Sequence, residues 1–465
     1  MAGIGMQIKD RKTLILGAGR SGIAAAKFLS ERGAIVALHD AQAVDEWTEE
    51  ARDLKSSHNV GLVSGPLPSW LLDQIDLVVI SPGVPTNTIP ARYVDRKDGE
   101  VIGEVELAFR FIKGRVVGIT GSNGKTTTTT LVGELLKNAG IKVQVGGNIG
   151  TPLLTLTEGS ADDMWTVAEL SSYQLETIKE FRPAVAICLN VTPNHLDRYD
   201  SFYHYAMAKH RLFMNQTAED VAILNADDEI TASWAAGLKA NVVQFSVHRE
   251  LKEGLFLRGN QLISRSSDKE KVLTTREEIF LRGLHNVENV LAAMAAGLAC
   301  GAAPDCLRET VREFEGVEHR IEFVAEIDGV KFYNDSKATS VDATSKALEA
   351  LSSDAGKTIL ILGGRGKNAP YEPLIDLIER TVRCLVLIGE DANNIEAQLG
   401  RHADVVRAGS VEDAVMKGFA AASRGDCVLL APACASFDMF KSFEERGEVF
   451  KKAVRQLSSA ESVGA

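Results

Sequence analysis

Short, continuous apolar runs recur along the whole chain, with helical patterns filling the gaps. They read KTLILG, AIVALHD and DLVVISPG, then RVVGITG, WTVAEL and AVAICLNVT, then KTILILGG, CLVLIGE and CVLLAPA. A strand with one wet face alternates apolar and polar residues. These runs do not alternate, so both of their faces must be covered, as in parallel sheets flanked by helices. At 465 residues the chain is too long for one ordinary core. Breaks near 100–104 (after DRKDGE) and near 316–320 (EGVEHR) divide it into three α/β domains, 1–103, 104–316 and 317–465. No fixed-period repeat or low-complexity segment interrupts them, and segment 240–282 is expected to be less regular, with polar turns between short strands.

Composition narrows the function classes. A chain that is 45% hydrophobic and 25% charged is of the soluble globular kind. Its net charge of −12 argues against a general nucleic-acid binder, which shows a basic face. No apolar run approaches the ~20 residues needed to span a bilayer, and MAGIGMQIKDRK has no signal-peptide core. The six cysteines form no C-x-x-C pair, and buried free thiols in a reducing cytoplasm are the simplest reading. The expectation is a cytoplasmic protein with no membrane or nucleic-acid partner, working as a monomer.

Two glycine-rich loops follow strands and open helices. In the first, GAGRSG at 17–22, Asp40 ends the next strand, which is the dinucleotide fingerprint in its usual context. The physics commits to less: glycines let a ligand approach the backbone, and helix amides attract any anion. An NAD-type cofactor, another nucleotide diphosphate, or a tight turn without ligand would all fit. The second loop, GITGSNGKTTTTT at 118–130, breaks the usual G-x-x-x-x-G-K-[ST] spacing because Gly121 arrives late. It keeps the working parts: Gly121, Ser122, Asn123 and Gly124 to turn backbone N–H groups toward phosphate, Lys125 for the β/γ-phosphates, and Thr126 with Thr127 at the helix start, Thr126 supplying a hydroxyl for Mg²⁺. Five threonines in a row are poor helix formers, so packing or ligand contact must hold that first turn.

Downstream, WTVAELSSYQLE places Glu169 at the carboxyl end of a strand, and AVAICLNVTPNHLDRY places His195 just past another. A hydroxyl, a carboxylate and an imidazole beside a triphosphate could share a divalent cation. Singly, Glu169 reads equally well as a helix N-terminal charge and His195 as a loop histidine.

The ordered series GSNGKTT, GGNIG, ELSSYQLE, NVTPNHLDRY, AKHRLF, GLHNVEN, EHR, NDSKATS and ACASFDMFKSFEERG spans nearly the whole chain and resembles the Mur ligases. NDSKATS and the C-terminal ACASFD segment point to the branch that adds D-glutamate. The resemblance implies Rossmann-like first and last domains around a phosphate-loop ATPase-like centre with a mostly parallel sheet. It implies ATP, UDP-N-acetylmuramoyl-L-alanine and D-glutamate as substrates, and two Mg²⁺ sites. Lys125 and Thr126 would bind ATP phosphates and magnesium, with Glu169 and His195 completing the metal's ligands. Lys209 matches the lysine that the family carbamylates, bringing it to a metal. Asn286, Asn289, Arg320 and Asp335 would line the adenosine side. Asn148 would contact the uridine-linked substrate, whose diphosphate would be held by Arg20, Ser21, Asp40, Ser81, Pro82 and Gly83. Lys337, Thr339, Lys367, Ser436, Phe437 and Phe443 would serve D-glutamate and the γ-phosphate.

Three positions depart from the family pattern: Asn194 where an acid often precedes the metal histidine, Glu318 where proline is common, and Arg365 in GGRGK where an acid is frequent. The implied reaction is attack of the substrate carboxylate on ATP, then displacement of phosphate by the amine of D-glutamate. Closure of the three domains is expected to keep water from the acyl phosphate. Other readings are a Mur-type ligase adding L-alanine or a diamino acid, although no DNPR stretch is present, a folylpolyglutamate synthase, an NAD-dependent oxidoreductase, or a non-enzymatic phosphate-loop switch.

Overall fold

The computed structural model describes residues 6–90, 93, 99–193, 198–267, 269–281, 283–352, 356–366 and 370–461. Among them are three sheets. The first is wholly parallel, with β1 (Lys12–Leu16), β2 (Ile35–Asp40), β3 (Gly61–Ser64), β4 (Leu77–Ile80) and β5 (Glu100–Gly103) in the order β3-β2-β1-β4-β5. The second contains β6 (Arg115–Thr120), β7 (Val143–Gly147), β8 (Trp165–Glu169), β9 (Val185–Cys188), β10 (Val221–Asn225), β11 (Asn241–Ser246), β12 (Gly254–Arg258), β13 (Gln261–Ser266) and β14 (Lys269–Thr275). Its order is β14-β13-β12-β11-β10-β9-β6-β8-β7, and only the β12–β13 and β13–β14 pairings are antiparallel. The third contains β15 (Glu322–Ile327), β16 (Val330–Asn334), β17 (Thr358–Gly363), β18 (Val382–Ile388), β19 (Asp404–Arg407) and β20 (Cys427–Leu430). Its order is β15-β16-β20-β17-β18-β19, with only β15 antiparallel.

The apolar runs are continuous because each strand feeds two cores. In β17, Leu360 and Leu362 pack into one cluster while Ile359 and Ile361 pack into another. In β1, Leu14 and Leu16 face one side and Ile15 the other. Truncating a wholly buried leucine such as Leu360 to alanine would cost about 2–5 kcal/mol.

The chain forms two compact units, 1–279 with 284–312, and 280–283 with 313–465. The first unit holds the first two sheets around a shared apolar cluster that includes Ile15, Leu29, Val105, Ile112, Leu153, Ala186 and Leu212. The helix Glu104–Phe109 fastens the two sheets together. Its buried Glu106 carboxylate accepts the backbone N–H groups of Lys179 (2.8 Å), Glu180 and Phe181 (3.0 Å), and Arg110 Nε at 3.0 Å. A buried carboxylate so fully bonded is a structural pin.

Segment 240–282 is more regular than its polar turns suggest. Gly259 (φ 60°) and Asn260 form a two-residue turn between β12 and β13, a hairpin connection those residue types favour. Arg258 and Arg265 bridge Glu250 and Glu270 across this antiparallel extension. The edge strand β14 begins Lys-Glu-Lys, which blunts edge-to-edge pairing. All six cysteines are free thiols; Cys300 and Cys306 are half-buried and the rest are buried. No helix among the described residues is long and apolar enough to cross a membrane.

Candidate active site

In an open α/β sheet, ligands collect outside the carboxyl ends of the strands, where the order of strands reverses direction. The three sheets place that reversal between β1 and β4, between β6 and β9, and between β17 and β20. The two phosphate-type loops open at the first two of these crevices, and much of the expected amino-acid site lies at the third.

At the β1/β4 crevice, Gly17 (φ 99°) lies so close to Ser81 that an added Cβ would stand 2.9 Å from the serine Cβ. A Cβ on Gly22 would stand 1.9 Å from the Gly17 carbonyl oxygen, so both positions require glycine. Ser81 Oγ donates to that carbonyl at 3.2 Å. Asp40 accepts the N–H of Ala18 at 2.8 Å, so its carboxylate holds the glycine loop itself. Arg20 donates to the Gly150 carbonyl, next to the Asn148 loop of the second sheet. Ser21 and Pro82 are half-buried, and Gly83 is exposed.

At the β6/β9 crevice, the loop is built onto the end of β9. Ser122 N–H donates to the Asn190 carbonyl (3.0 Å) and Asn123 N–H to the Asn190 side-chain oxygen (2.9 Å). Ser122 Oγ donates to the Thr192 carbonyl (3.0 Å) and shares a 2.9 Å hydrogen bond with the Tyr205 hydroxyl. Gly124 (φ 80°) opens the helix Lys125–Asn138, and a Cβ there would stand 2.2 Å from Asn289 Oδ1. Thr126, Thr127, Thr128 and Thr129 are all buried, which is the packing that holds this β-branched first turn helical. The second wall is the helix Leu284–Ala299, where Asn289 Nδ2 donates to Asn286 Oδ1 at 3.0 Å.

Two lysines converge on one carbonyl here. Lys125 Nζ donates to the Gly121 and Ser122 carbonyls (2.9 and 3.0 Å), and Lys209 Nζ donates to Gly121 at 2.8 Å. Lys209 is only 2% exposed. Burial above all, then the neighbouring Lys125 charge, pushes its amine down to about 7. Glu169 lies one strand from the phosphate loop, in register with Ile119 of β6. Its Oε1 accepts from Asn148 Nδ2 at 2.8 Å, while its buried Oε2 has no hydrogen-bond partner. An orphaned buried carboxylate oxygen beside a phosphate loop, with the Thr126 hydroxyl at the start of the adjacent helix, is a donor set that fits a hard cation. His195, with Asn194, lies outside the described residues, as does Lys367.

The second unit carries the remaining positions. Asp335 is buried, and burial pushes its carboxyl up to about 7 against the pull of Arg320 and then Lys337. Lys337 N–H donates to the His319 carbonyl (3.1 Å), and its amine stands 5.7 Å from the centre of the Phe443 ring. Thr339 N–H in turn donates to Lys337 O at 2.8 Å. Glu318, in place of the common proline, pairs with Lys451 at 3.2 Å. Ser436 is buried and Phe437 is exposed beside it.

The sequence motifs contained several residues whose part in shaping these sites they did not reveal. Asn190 cradles the phosphate loop and was signalled only by its place after a strand. Arg198 donates to the carbonyls of Pro82 (2.9 Å) and Val84 (3.4 Å) and lies over the Tyr173 ring at 4.0 Å. Buried Arg446 ties the turn after β16 to the end of β20, through Ser336 Oγ (3.0 Å), Ser336 O (2.9 Å) and Cys434 O (3.3 Å).

Three family models match consecutive stretches of the chain. The Mur ligase MurD-like N-terminal domain matches residues 11–103, the Mur ligase middle domain 119–297, and the Mur ligase glutamate ligase domain 319–434. The chain is 45% identical to the UDP-N-acetylmuramoylalanine--D-glutamate ligase of Koribacter versatilis, covering 98% of this chain and all of that one. It is 46% identical to the protein of the same name from Acidobacterium capsulatum, covering 97% of each. Among solved structures, UDP-N-acetylmuramate-alanine ligase MurC from Thermotoga maritima is similar with a TM-score of 0.57, at 18% identity over 97% of this chain and 99% of that one. A pseudomurein peptide ligase type C from Methanothermus fervidus also has a TM-score of 0.57, at 19% identity over 96% of this chain and 100% of that one. These two share the fold. With three consecutive family domains and relatives this similar over their full length, the chain belongs to the Mur ligase family.

Proposed function

We propose that this chain is an ATP-dependent ligase that joins UDP-N-acetylmuramoyl-L-alanine to D-glutamate, in the cytoplasm, as a step in making the peptidoglycan precursor. The observation that carries the reading is 45–46% identity, over nearly the whole chain, to proteins of that name. Functional domains spanning 1–103, 104–316 and 317–465 would take the uridine-linked substrate, ATP and the amino acid respectively. The protein would act as a monomer without membrane or nucleic-acid partners.

In this reading the terminal carboxylate of the uridine-linked substrate attacks the γ-phosphorus of ATP. The bond to ADP breaks and an acyl phosphate forms. The neutral amine of D-glutamate then attacks the acyl carbon, and the tetrahedral intermediate expels phosphate. Activation is needed because a carboxylate is a poor electrophile until one oxygen leaves as phosphate. Lys125 now donates to two neutral carbonyls of its own loop; β/γ-phosphate oxygens are stronger acceptors and would draw it across. Gly121, Ser122, Asn123, Gly124, Thr126 and Thr127 would supply the rest of the cradle, Ser122 and Asn123 through groups other than the backbone N–H bonds they give to Asn190. Asn286, Asn289, Arg320 and Asp335 would serve adenosine. Arg20, Ser21, Asp40, Ser81, Pro82, Gly83 and Asn148 would serve the uridine-linked substrate. Lys337, Thr339, Lys367, Ser436, Phe437 and Phe443 would serve the amino acid and the transferred phosphate.

Magnesium would be held by Thr126, Glu169 and His195, with a second ion reached through Lys209. When bound, it would neutralise charge that builds on the transferring phosphate. An ammonium is a poor neighbour for a cation, but Lys209 need not be one. Burial and then the Lys125 charge push its amine down to about 7, so far more of it is neutral at neutral pH than of an ordinary lysine. The neutral amine can add carbon dioxide to give a carbamate, an oxygen donor that suits a hard cation. ADP release should require the uridine-linked substrate together with D-glutamate; L-glutamate and L-alanine should not substitute. Equal turnover with L-alanine would assign the chain to a different amino acid.

A further inference from the structure

The crevice between β17 and β20 is bordered by an arginine, Arg365. Arg365 follows β17 and Ala435 follows β20, and their backbones exchange two hydrogen bonds, Arg365 N–H to Ala435 O (2.9 Å) and Ala435 N–H to Arg365 O (3.0 Å). Gly364 (φ 131°) makes this approach possible, since a Cβ there would stand 2.3 Å from the Ala435 carbonyl oxygen. The arginine's backbone is therefore fixed at the mouth of the crevice, paired with Ala435, the residue before Ser436. Its Nε and Nη2 each stand 3.1 Å from a different oxygen of Glu390, the paired geometry by which a guanidinium recognises a carboxylate. Glu390 follows β18, and its own N–H donates to Asp438 Oδ2 at 3.0 Å. The other Asp438 oxygen is buried and has no hydrogen-bond partner among the described residues.

We infer that Arg365 reads a carboxylate of the amino-acid substrate, and that Glu390 holds that carboxylate's place until substrate arrives. The inference rests on the ligase reading above. Glutamate brings two carboxylates into the crevice, and a site that accepts both must supply cationic donors. An arginine at this place supplies positive charge that favours a dianionic substrate. The pair it forms now is easily given up: the two side chains are 53% and 56% exposed, and exposed pairs contribute little. Exchange of one carboxylate for another keeps both hydrogen bonds and leaves Glu390 free to face water.

Steady-state ADP release by the full-length protein, with each substrate varied in turn, tests this. Arg365→Gln should raise the KM for D-glutamate about tenfold while leaving the KM for ATP and for the uridine-linked substrate within about twofold. Arg365→Lys, with the charge but not the fork, should fall between. Glu390→Gln should lower the KM for D-glutamate, because the competing carboxylate is gone. A D-glutamate KM unchanged in Arg365→Gln, or one that does not fall in Glu390→Gln, overturns the inference. A wild-type protein that releases no ADP with D-glutamate refutes the ligase reading instead.

Discussion

Glu104 offers a stability test whose sign depends on pH. The residue is 2% exposed at the start of the helix that joins the first two sheets. One oxygen accepts the Leu154 N–H at 2.8 Å, and the other is buried without a partner. Burial pushes the carboxyl up from 4.5 to about 7, more than the backbone bonds of Leu154 and Leu153 can pull it back. At about 1.4 kcal/mol per pKa unit, that gap is worth about 3 kcal/mol. Below pH 4.5 both folded and unfolded chains are protonated and nothing is lost. Between 4.5 and 7 the unfolded chain releases its proton first, so stability falls as pH rises. Above 7 the whole cost is present. Glu104→Gln keeps an acceptor for Leu154 and removes the charge, although its amide N–H groups inherit the partnerless site, at about 1 kcal/mol. The variant should therefore match or slightly trail wild type at pH 4.5 and exceed it by about 2 kcal/mol at pH 8. All four tryptophans (Trp47, Trp70, Trp165, Trp234) lie in the first unit, so their fluorescence during urea unfolding reports on the right part of the chain. An equal gain at both pH values, or a loss at pH 8, would refute the reasoning.

Lys209→Ala should lose most ADP release, with partial recovery on adding acetate; recovery with a short amine instead would show that the residue works as a cation. Activity of the wild type should fall in buffer stripped of carbon dioxide and return with bicarbonate. Gly124→Ala combines a φ of 80° with a Cβ placed 2.2 Å from Asn289 Oδ1, so it should destabilise the first unit by about 1–3 kcal/mol and raise the KM for ATP well beyond that for D-glutamate. Unchanged ATP kinetics in that variant would contradict the tight loop–helix contact.

Fold class was legible because burial of a strand on both faces leaves a mark in every residue of the run, as in KTILILGG. The antiparallel extension β12–β14 was harder to see, since its outer residues are charged and pair only across strands, as Arg258 does with Glu270. The turn from β6 into the helix Lys125–Asn138 was legible from Gly121, Gly124 and Lys125 despite its short spacing. Asn190, Tyr205 and Arg198 were not, because each acts on a loop distant in sequence, and nothing in their immediate neighbours encodes the partner. The Asp40 carboxylate was visible as a residue, but its engagement with the Ala18 amide was not. A fingerprint fixes which residue stands at a strand end, whereas the hydrogen bond it makes depends on where the next loop packs.

Three buried glutamates show why sites are read from bonding and not from residue type. Glu104 and Glu106 sit two positions apart on one short helix, and Glu169 ends β8; all are at most 2% exposed. Glu106 is satisfied by three successive backbone amides and an arginine, so it can bind nothing further and serves the fold. Glu169 has one oxygen fixed by Asn148 and one left over beside the phosphate loop. Glu104 also has an oxygen left over, but the rise of its pKa to about 7 lets it escape the cost by keeping a proton. For Glu169 the proposed remedy is a cation: it stands one strand from the glycine loop before Lys125, where ATP and magnesium would arrive together. A buried carboxylate oxygen must be bonded, protonated or paired with positive charge. Glu106 meets that requirement with hydrogen bonds and Glu104 with a proton, and in the proposed function Glu169 meets it with a cation.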